Sequence, residues 1–273
     1  MRGLSATLIH GLSKAFIASF VKHQTAIRNK ALSLFNSHAA HCKNPLLIMI
    51  TPALFDFFRE LRANNNRDWF NENRARYEQD VKAPLLRFIT EFAGPLQTIS
   101  PHFTAIPKVG GSLFRIYRDV RFSKDKRPYK EAAGVHFRHA AGKDVHAPGF
   151  YLHLAPDEVF AALGIWGPGS KELLMIRQEI VRNPDTWTEI TQSPDFLNVF
   201  SARYEHQKLK RAPKGFDPNH PLIEDLRCKH FVTSCPLSEE FVCTPDFPVK
   251  LAQTYSHGAK YMEHLTHTLD LPW

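Results

Sequence analysis

Two hydrophobic periods divide the body of this chain and restrict it to mixed folds. From Thr51 to Phe92 apolar residues recur every three to four positions, the repeat of a helix with one buried face. Thr51-Pro52 reads as a helix start, with Thr as cap and Pro where its missing N–H costs nothing. Leu54, Phe57, Phe58 and Leu61 follow on one face, and Asn64-Asn65-Asn66 ends the helix. Asp68 is placed to cap a second helix with Trp69, Phe70, Tyr77, Val81, Leu85, Phe88, Ile89 and Phe92 inward, Pro84 as a kink and Gly94-Pro95 as its end.

From Lys108 the period falls to two. Leu113–Phe122, Gly134–His139, Phe150–Leu154 and Val159–Trp166 read as short strands. The connections between them are too short for parallel crossovers, so the strands are expected to pair antiparallel. Ser170 is placed to cap a third helix with Leu173, Leu174, Ile176, Ile180 and Val181 as its core stripe. Short helical turns follow over 185–191, 194–201 and 222–228. Residues 230–234 read as a strand, and Pro248–Leu269 as a last helix with Leu251, Tyr255, Met262 and Leu265 inward. The expected fold is α+β, a mainly antiparallel sheet covered by helices, in a single domain over 49–273.

Charge separates residues 1–48 from that domain. The chain carries 35 Lys and Arg against 27 Asp and Glu, a formal +8. Six of the basic residues and none of the acidic ones fall in residues 1–50, so the rest balances at only +2. A global case for binding nucleic acid therefore loses most of its force. The first segment is basic, acid-free and spaced like an amphipathic helix. It fits an upstream stretch read from too early a start (Met49 precedes the first helix), a mitochondrial transit peptide, or an added helix on the body. No run approaches the 18 apolar residues of a membrane span. Four Cys without a C-x-x-C pair read as reduced thiols of an intracellular protein, cytoplasmic unless the leader targets it to mitochondria.

The body's positive charge is concentrated between Arg115 and Lys130, which hold seven basic residues and two acidic ones. In a strand over 114–122, Arg115, Tyr117, Asp119 and Arg121 share one face. Arg118 then stands among Phe114, Ile116, Val120 and Phe122 on the other, where a lone charge is costly. It needs a carboxylate partner or a bound anion. One reading is an anion site, with Arg115, Arg118, Arg121, Lys124, Lys126, Lys130 and Tyr129 as contacts and Asp119 or Asp125 as orienting carboxylate or general base. Tyr151 and Trp166 are placed to line a pocket beside it. The competing reading is structural, with Arg118 paired to Asp119 or Asp125. Lys208, Lys210, Arg211 and Lys214 form a second basic element.

Five segments, Thr51–Phe58, Asn64–Phe70, Arg118–Lys130, Tyr151–Leu154 and Leu209–Asp217, resemble in order the family called domain of unknown function 2461. The run Arg-Phe-Ser-Lys-Asp-Lys-x-Pro-Tyr-Lys is its most specific part. The resemblance implies one family domain beginning near Met49 and supplies no activity, cofactor or catalytic residue. Its pattern leads one to expect a small residue such as Thr at Arg127.

Other motifs carry less. His136, His139, His146 and His153 crowd 18 residues without metal-ligand spacing, and read as surface and turn histidines. Gly164–Gly169 lacks the spacing of a phosphate loop. The expectation is a soluble domain that binds a small phosphate- or carboxylate-bearing ligand and acts on it if it is an enzyme. The alternatives are a nucleic-acid-binding module using the same cations, or an interaction protein with a buried Arg–Asp network.

Overall fold

The computed structural model describes residues 48–142, 146–200, 202–203 and 207–273, so the leader lies outside it but for residue 48. Helix α1 (Pro52–Ala63) buries Leu54, Phe57, Phe58 and Leu61 as its spacing requires. Helix α2 (Arg67–Glu72) is capped by Asn66 rather than Asp68. A cap must accept from the N–H three residues on, and Asn66 takes that of Trp69 at 3.0 Å. The chain continues through α3 (Arg74–Arg76) and a π-helical segment (Tyr77–Lys82) into α4 (Ala83–Gln97). The wide π turn precedes Pro84, where a regular turn would drive the ring against the Asp80 carbonyl. Gly94-Pro95 does not end α4, which runs to Gln97 with Pro95 inside. So near the end, Pro removes one bond, and the Glu91 carbonyl it frees is on an exposed residue.

Among the described residues six strands form one sheet: β1 (Phe103–Thr104), β2 (Ala133–His139), β3 (Gly149–Ala155), β4 (Glu158–Ile165), β5 (Ala202–Arg203) and β6 (Phe231–Leu237). Their order is β1-β2-β3-β4-β6-β5 with every pair antiparallel, so the fold is α+β. Helices α5 (Ser170–Arg182), α6 (Pro184–Gln192), α7 (Pro194–Val199) and α8 (Ile223–Leu226) precede or separate the last strands, and α9 (Glu239–Val242) follows β6. The expected terminal helix is two, α10 (Phe247–Ser256) and α11 (Ala259–Thr268), broken at His257-Gly258. Among the described residues no helix is long and apolar enough to cross a membrane.

One sheet face is the core. Phe137 meets Phe88 and Phe92 of α4, and Phe150 meets Tyr255 of α10. Burial of each such ring contributes on the order of 2 kcal/mol. Leu174 and Val181 of α5, expected in this core, are exposed. With Lys214 and Phe216 they line an open cleft of about 520 Å³.

Residues 113–122 do not form a strand of the sheet. Leu113 makes one bridge to Val135, and the chain then leaves the sheet and folds back on itself. Tyr117 bridges Tyr129, the Arg118 N–H donates to the Pro128 carbonyl at 2.8 Å, and the Lys130 N–H to Ile116 at 2.7 Å. The alternation is real as far as Val120: Ile116 is buried and Arg118 half-buried, while Arg115, Tyr117 and Asp119 are exposed. Phe122, expected inward, is 88% exposed at the tip. This self-paired arm, residues 114–130, keeps seven cations out of the sheet interior and uses Pro128 as an acceptor only.

Candidate functional site

The outer half of the arm is neutralised from within. Arg118, half-buried, donates to Asp125 at 2.8 Å and to the Arg127 carbonyl at 3.1 Å. Arg127 also grips Asp125 and reaches Glu131, whose side chain is only 8% exposed. Asn65 closes the network. Its amide donates to Glu131 at 2.9 Å and to the Tyr129 carbonyl at 3.1 Å, and accepts from the Tyr129 N–H at 3.1 Å. Arg121 is held by Asp119 at 2.7 Å, and Lys126 donates to the Val120 carbonyl at 3.0 Å. The Arg121 fork holds the Asp119 carboxyl at about 2, and Arg127 and then Arg118 depress Asp125. Carboxylates so held are weak proton acceptors. The Arg–Asp pairing weighed from sequence is thus present, with Asp125 as the partner of Arg118.

Lys130 and Tyr151 gather elsewhere, around Phe114 at the edge of the sheet face opposite the core, and Arg115 acts on Lys130 as a nearby charge. Strand register lays three rows across that face: Gly134, His153, Phe160 and Pro236; His136, Tyr151, Ala162 and Ser234; and Arg138, Gly149, Gly164 and Val232. Its centre is floored with small residues and walled by His136, Tyr151, His153 and Phe160. Phe114 of the arm lies over the edge, its ring 5.9 Å from Tyr151 and 6.0 Å from His136. The Lys130 ammonium sits 5.4 Å above the same ring. Gly134 allows this approach, since a Cβ there would lie 2.7 Å from the Tyr151 hydroxyl and 3.0 Å from Phe114.

The electrostatics of this open face are one-sided. Tyr151 and His153 share a hydrogen bond of 2.9 Å, and His153 stacks on Phe160. Burial lowers His153 to about 4 and raises the Tyr151 phenol. His136 is lowered to about 4 by burial, with Arg138 adding repulsion. The wall is therefore polar but uncharged at neutral pH. At its edge burial, and then the charge of Arg115, lowers Lys130. Among the described residues neither Lys130 nor Arg115 side chain has a hydrogen bond or ion pair.

Trp166 lies on the same face about 13 Å along β4 from Ala162, too far to wall the site with Tyr151. It stacks on His230 at 4.3 Å. His230 accepts from the Gly167 N–H at 2.7 Å through Nδ1, so its Nε2–H donates to Gln207. Of the second basic element, Lys208 pairs with Glu224 and Lys214 stands at the α5 cleft. Lys124 is exposed at the arm tip.

The histidines need correction. His153 and His139 are buried, His136 is half-buried, and of the four only His146 is an exposed residue. His139 bonds the Pro272 carbonyl and accepts from the Ala141 N–H. Among the described residues no three His, Cys, Asp or Glu side chains come together as a metal would need. Alternation with Val135 and Phe137 marks His136 as facing away from the core. Nothing local marks Asn65, 64 residues before Tyr129, as the clamp on the arm.

No curated protein and no solved structure matches the chain. The model of the family described as conserved hypothetical protein (DUF2461) matches residues 53–264, a span that holds α1, the arm and the open face. The chain therefore belongs to the DUF2461 family.

Proposed function

We propose that the protein binds a small anion, bearing phosphate or carboxylate, at the edge of the open face. The observation that carries this is Lys130: a half-buried ammonium beside a second cation, with no acceptor among the described residues. A charge in that position is costly until it is paired. Arg115 supplies the second charge, and Tyr151 and the neutral histidines supply hydrogen bonds. Trp166 is too far along β4 to contact the same small ligand. Among the described residues Cys228, Cys235 and Cys243 form no disulfide, which fits the reducing cytoplasm.

The test is a thermal-shift series with inorganic phosphate, citrate and sugar phosphates. Stabilisation by at least one is expected, with affinity reduced about tenfold in Lys130→Gln, the loss of one charge-assisted bond. The anion-free variant should be at least as stable as the wild type, because the buried ammonium is gone. Equal stabilisation of both proteins by every anion would reject the site.

The outer arm supports the structural reading instead. Arg118, Arg121 and Arg127 are engaged with carboxylates and Lys126 with a carbonyl, so among the described residues Lys124 at the tip and Arg115 and Lys130 at the base are the arm cations left without an acceptor. That count weakens the nucleic-acid alternative, which needs a row of free charges.

A further inference from the structure

The arm contributes to a second cluster that the open face does not use. Phe70 of α2 is its hub. The ring stacks on Tyr129 with centroids 4.1 Å apart, and lies 5.4 Å from Tyr77 and 6.4 Å from Tyr117. Tyr117 and Tyr129 face each other at 5.5 Å across the arm. Three phenols, two from the arm and one from the π segment, thus surround one ring. Tyr77 and Tyr129 are 8% and 4% exposed and form a floor, while Tyr117, at 56%, forms an open side. Tyr77 is there because it opens the π segment, a rare backbone form that recurs at functional sites.

The polar groups of this cluster are unspent. Among the described residues none of the three hydroxyls has a hydrogen-bond partner. Burial raises Tyr77 to about 12 and also raises Tyr129, so both phenols keep their protons as donors at neutral pH. The guanidinium groups of Arg67 and Arg74 act on the Tyr129 phenol as nearby positive charges. Both are exposed and unpaired, although Asp68 and Glu72 lie on the same short helix as Arg67.

We propose that Tyr77, Tyr117 and Tyr129, with Arg67 and Arg74, form a second anion site that takes a compact tetrahedral dianion of the phosphate or phosphomonoester class. Two cationic forks match two negative charges, and three further O–H donors suit an anion with acceptors on every side better than a flat carboxylate. The open side beside Tyr117 leaves room for the substituent of a monoester. This site is independent of the one at Lys130.

Calorimetric titration at low salt tests it, with inorganic phosphate, phenyl phosphate and acetate as probes, in a Lys130→Gln background that removes the open face's main cation. Phosphate or phenyl phosphate should bind, acetate much more weakly; tighter phenyl phosphate would mark an ester as the ligand. Arg67→Gln with Arg74→Gln should weaken binding at least tenfold, and neither exposed, unpaired arginine is needed for folding. Tyr129→Phe keeps the ring stack and should weaken binding about fivefold, the loss of one neutral hydrogen bond. No phosphate binding in that background, or binding unchanged by the double arginine variant, overturns the proposal.

Discussion

Lowering the pH from 6.5 to 4 should cost the fold several kcal/mol, most of it through His136 and His153. An unfolded histidine ionises near 6.5, whereas burial holds these two at about 4. The unfolded chain therefore binds more protons throughout that window, and stability falls as pH falls through it. The full contribution is present above about 6.5, and below about 4 both states are protonated alike. Each histidine is worth on the order of 3 kcal/mol across the window. Asp119, held at about 2, and the likewise depressed Asp125, Glu60 and Asp246 lose their contributions mainly below about pH 5, so the slope between 6.5 and 5 belongs to the histidines. Urea unfolding at half-unit steps of pH should show a plateau above 7 and a slope of about 1.4 kcal/mol per pH unit for each histidine. His153→Asn keeps a hydrogen-bonding atom near Tyr151 and should remove one proton's worth of slope. Lowered His230 and His264 account for what remains. A slope unchanged after replacing both His136 and His153 would refute the assignment. An anion bound beside Lys130 should raise both histidines and flatten the slope, because proton and anion binding are reciprocal.

The same two histidines show where the sequence stops being legible. Alternation places His136 on the face opposite Val135 and Phe137, and strand register then sets it beside Tyr151. Whether that face is wet or covered depends on where the arm goes. Leu113–Val120 alternates as a sheet strand would, yet pairs with residues 128–130 of the same arm. A period of two specifies two faces and leaves the partner open. Helix α1 was readable because its stripe and its Pro52 start lie within one segment, although the Thr51 side chain makes no cap bond. Arg118's need for a counter-charge was readable for the same reason, with Asp125 seven residues on. The clamp of Asn65 on Tyr129 was not, since it joins motifs 64 residues apart through a side-chain amide standing in for a strand edge. The break at Gly258 was not readable, since the glycine is set by its packing against Leu163, a residue far away in the chain.

The network at the base of the arm should respond unequally to the loss of its two arginines. Arg127→Met is expected to destabilise by about 2–3 kcal/mol. Glu131 is almost fully buried, and a buried carboxylate deprived of its best partner typically costs 3–5 kcal/mol. The lower figure follows because Asn65 still donates to Glu131, Arg62 stands 3.7 Å away, and Arg127 is itself partly exposed. Arg118→Met should cost under about 1 kcal/mol, because Asp125 keeps Arg127 and water. Adding Glu131→Gln to Arg127→Met removes the stranded charge while an amide can still bond to Asn65, and should restore most of the loss. A double-mutant cycle by urea unfolding measures this coupling directly. If Glu131→Gln restores nothing, the carboxylate does not depend on Arg127, and the arm must be anchored by Asn65 and the Phe70–Tyr129 stack alone. If it does restore stability, Arg127 is a feature of this chain's own network, because a small residue at that position, as the family resemblance leads one to expect, would leave Glu131 to Arg62 and Asn65. The positive charge of the arm would then be mostly structural at its tip, and only Lys130 and Arg115, which no carboxylate meets among the described residues, would remain for a ligand at the open face.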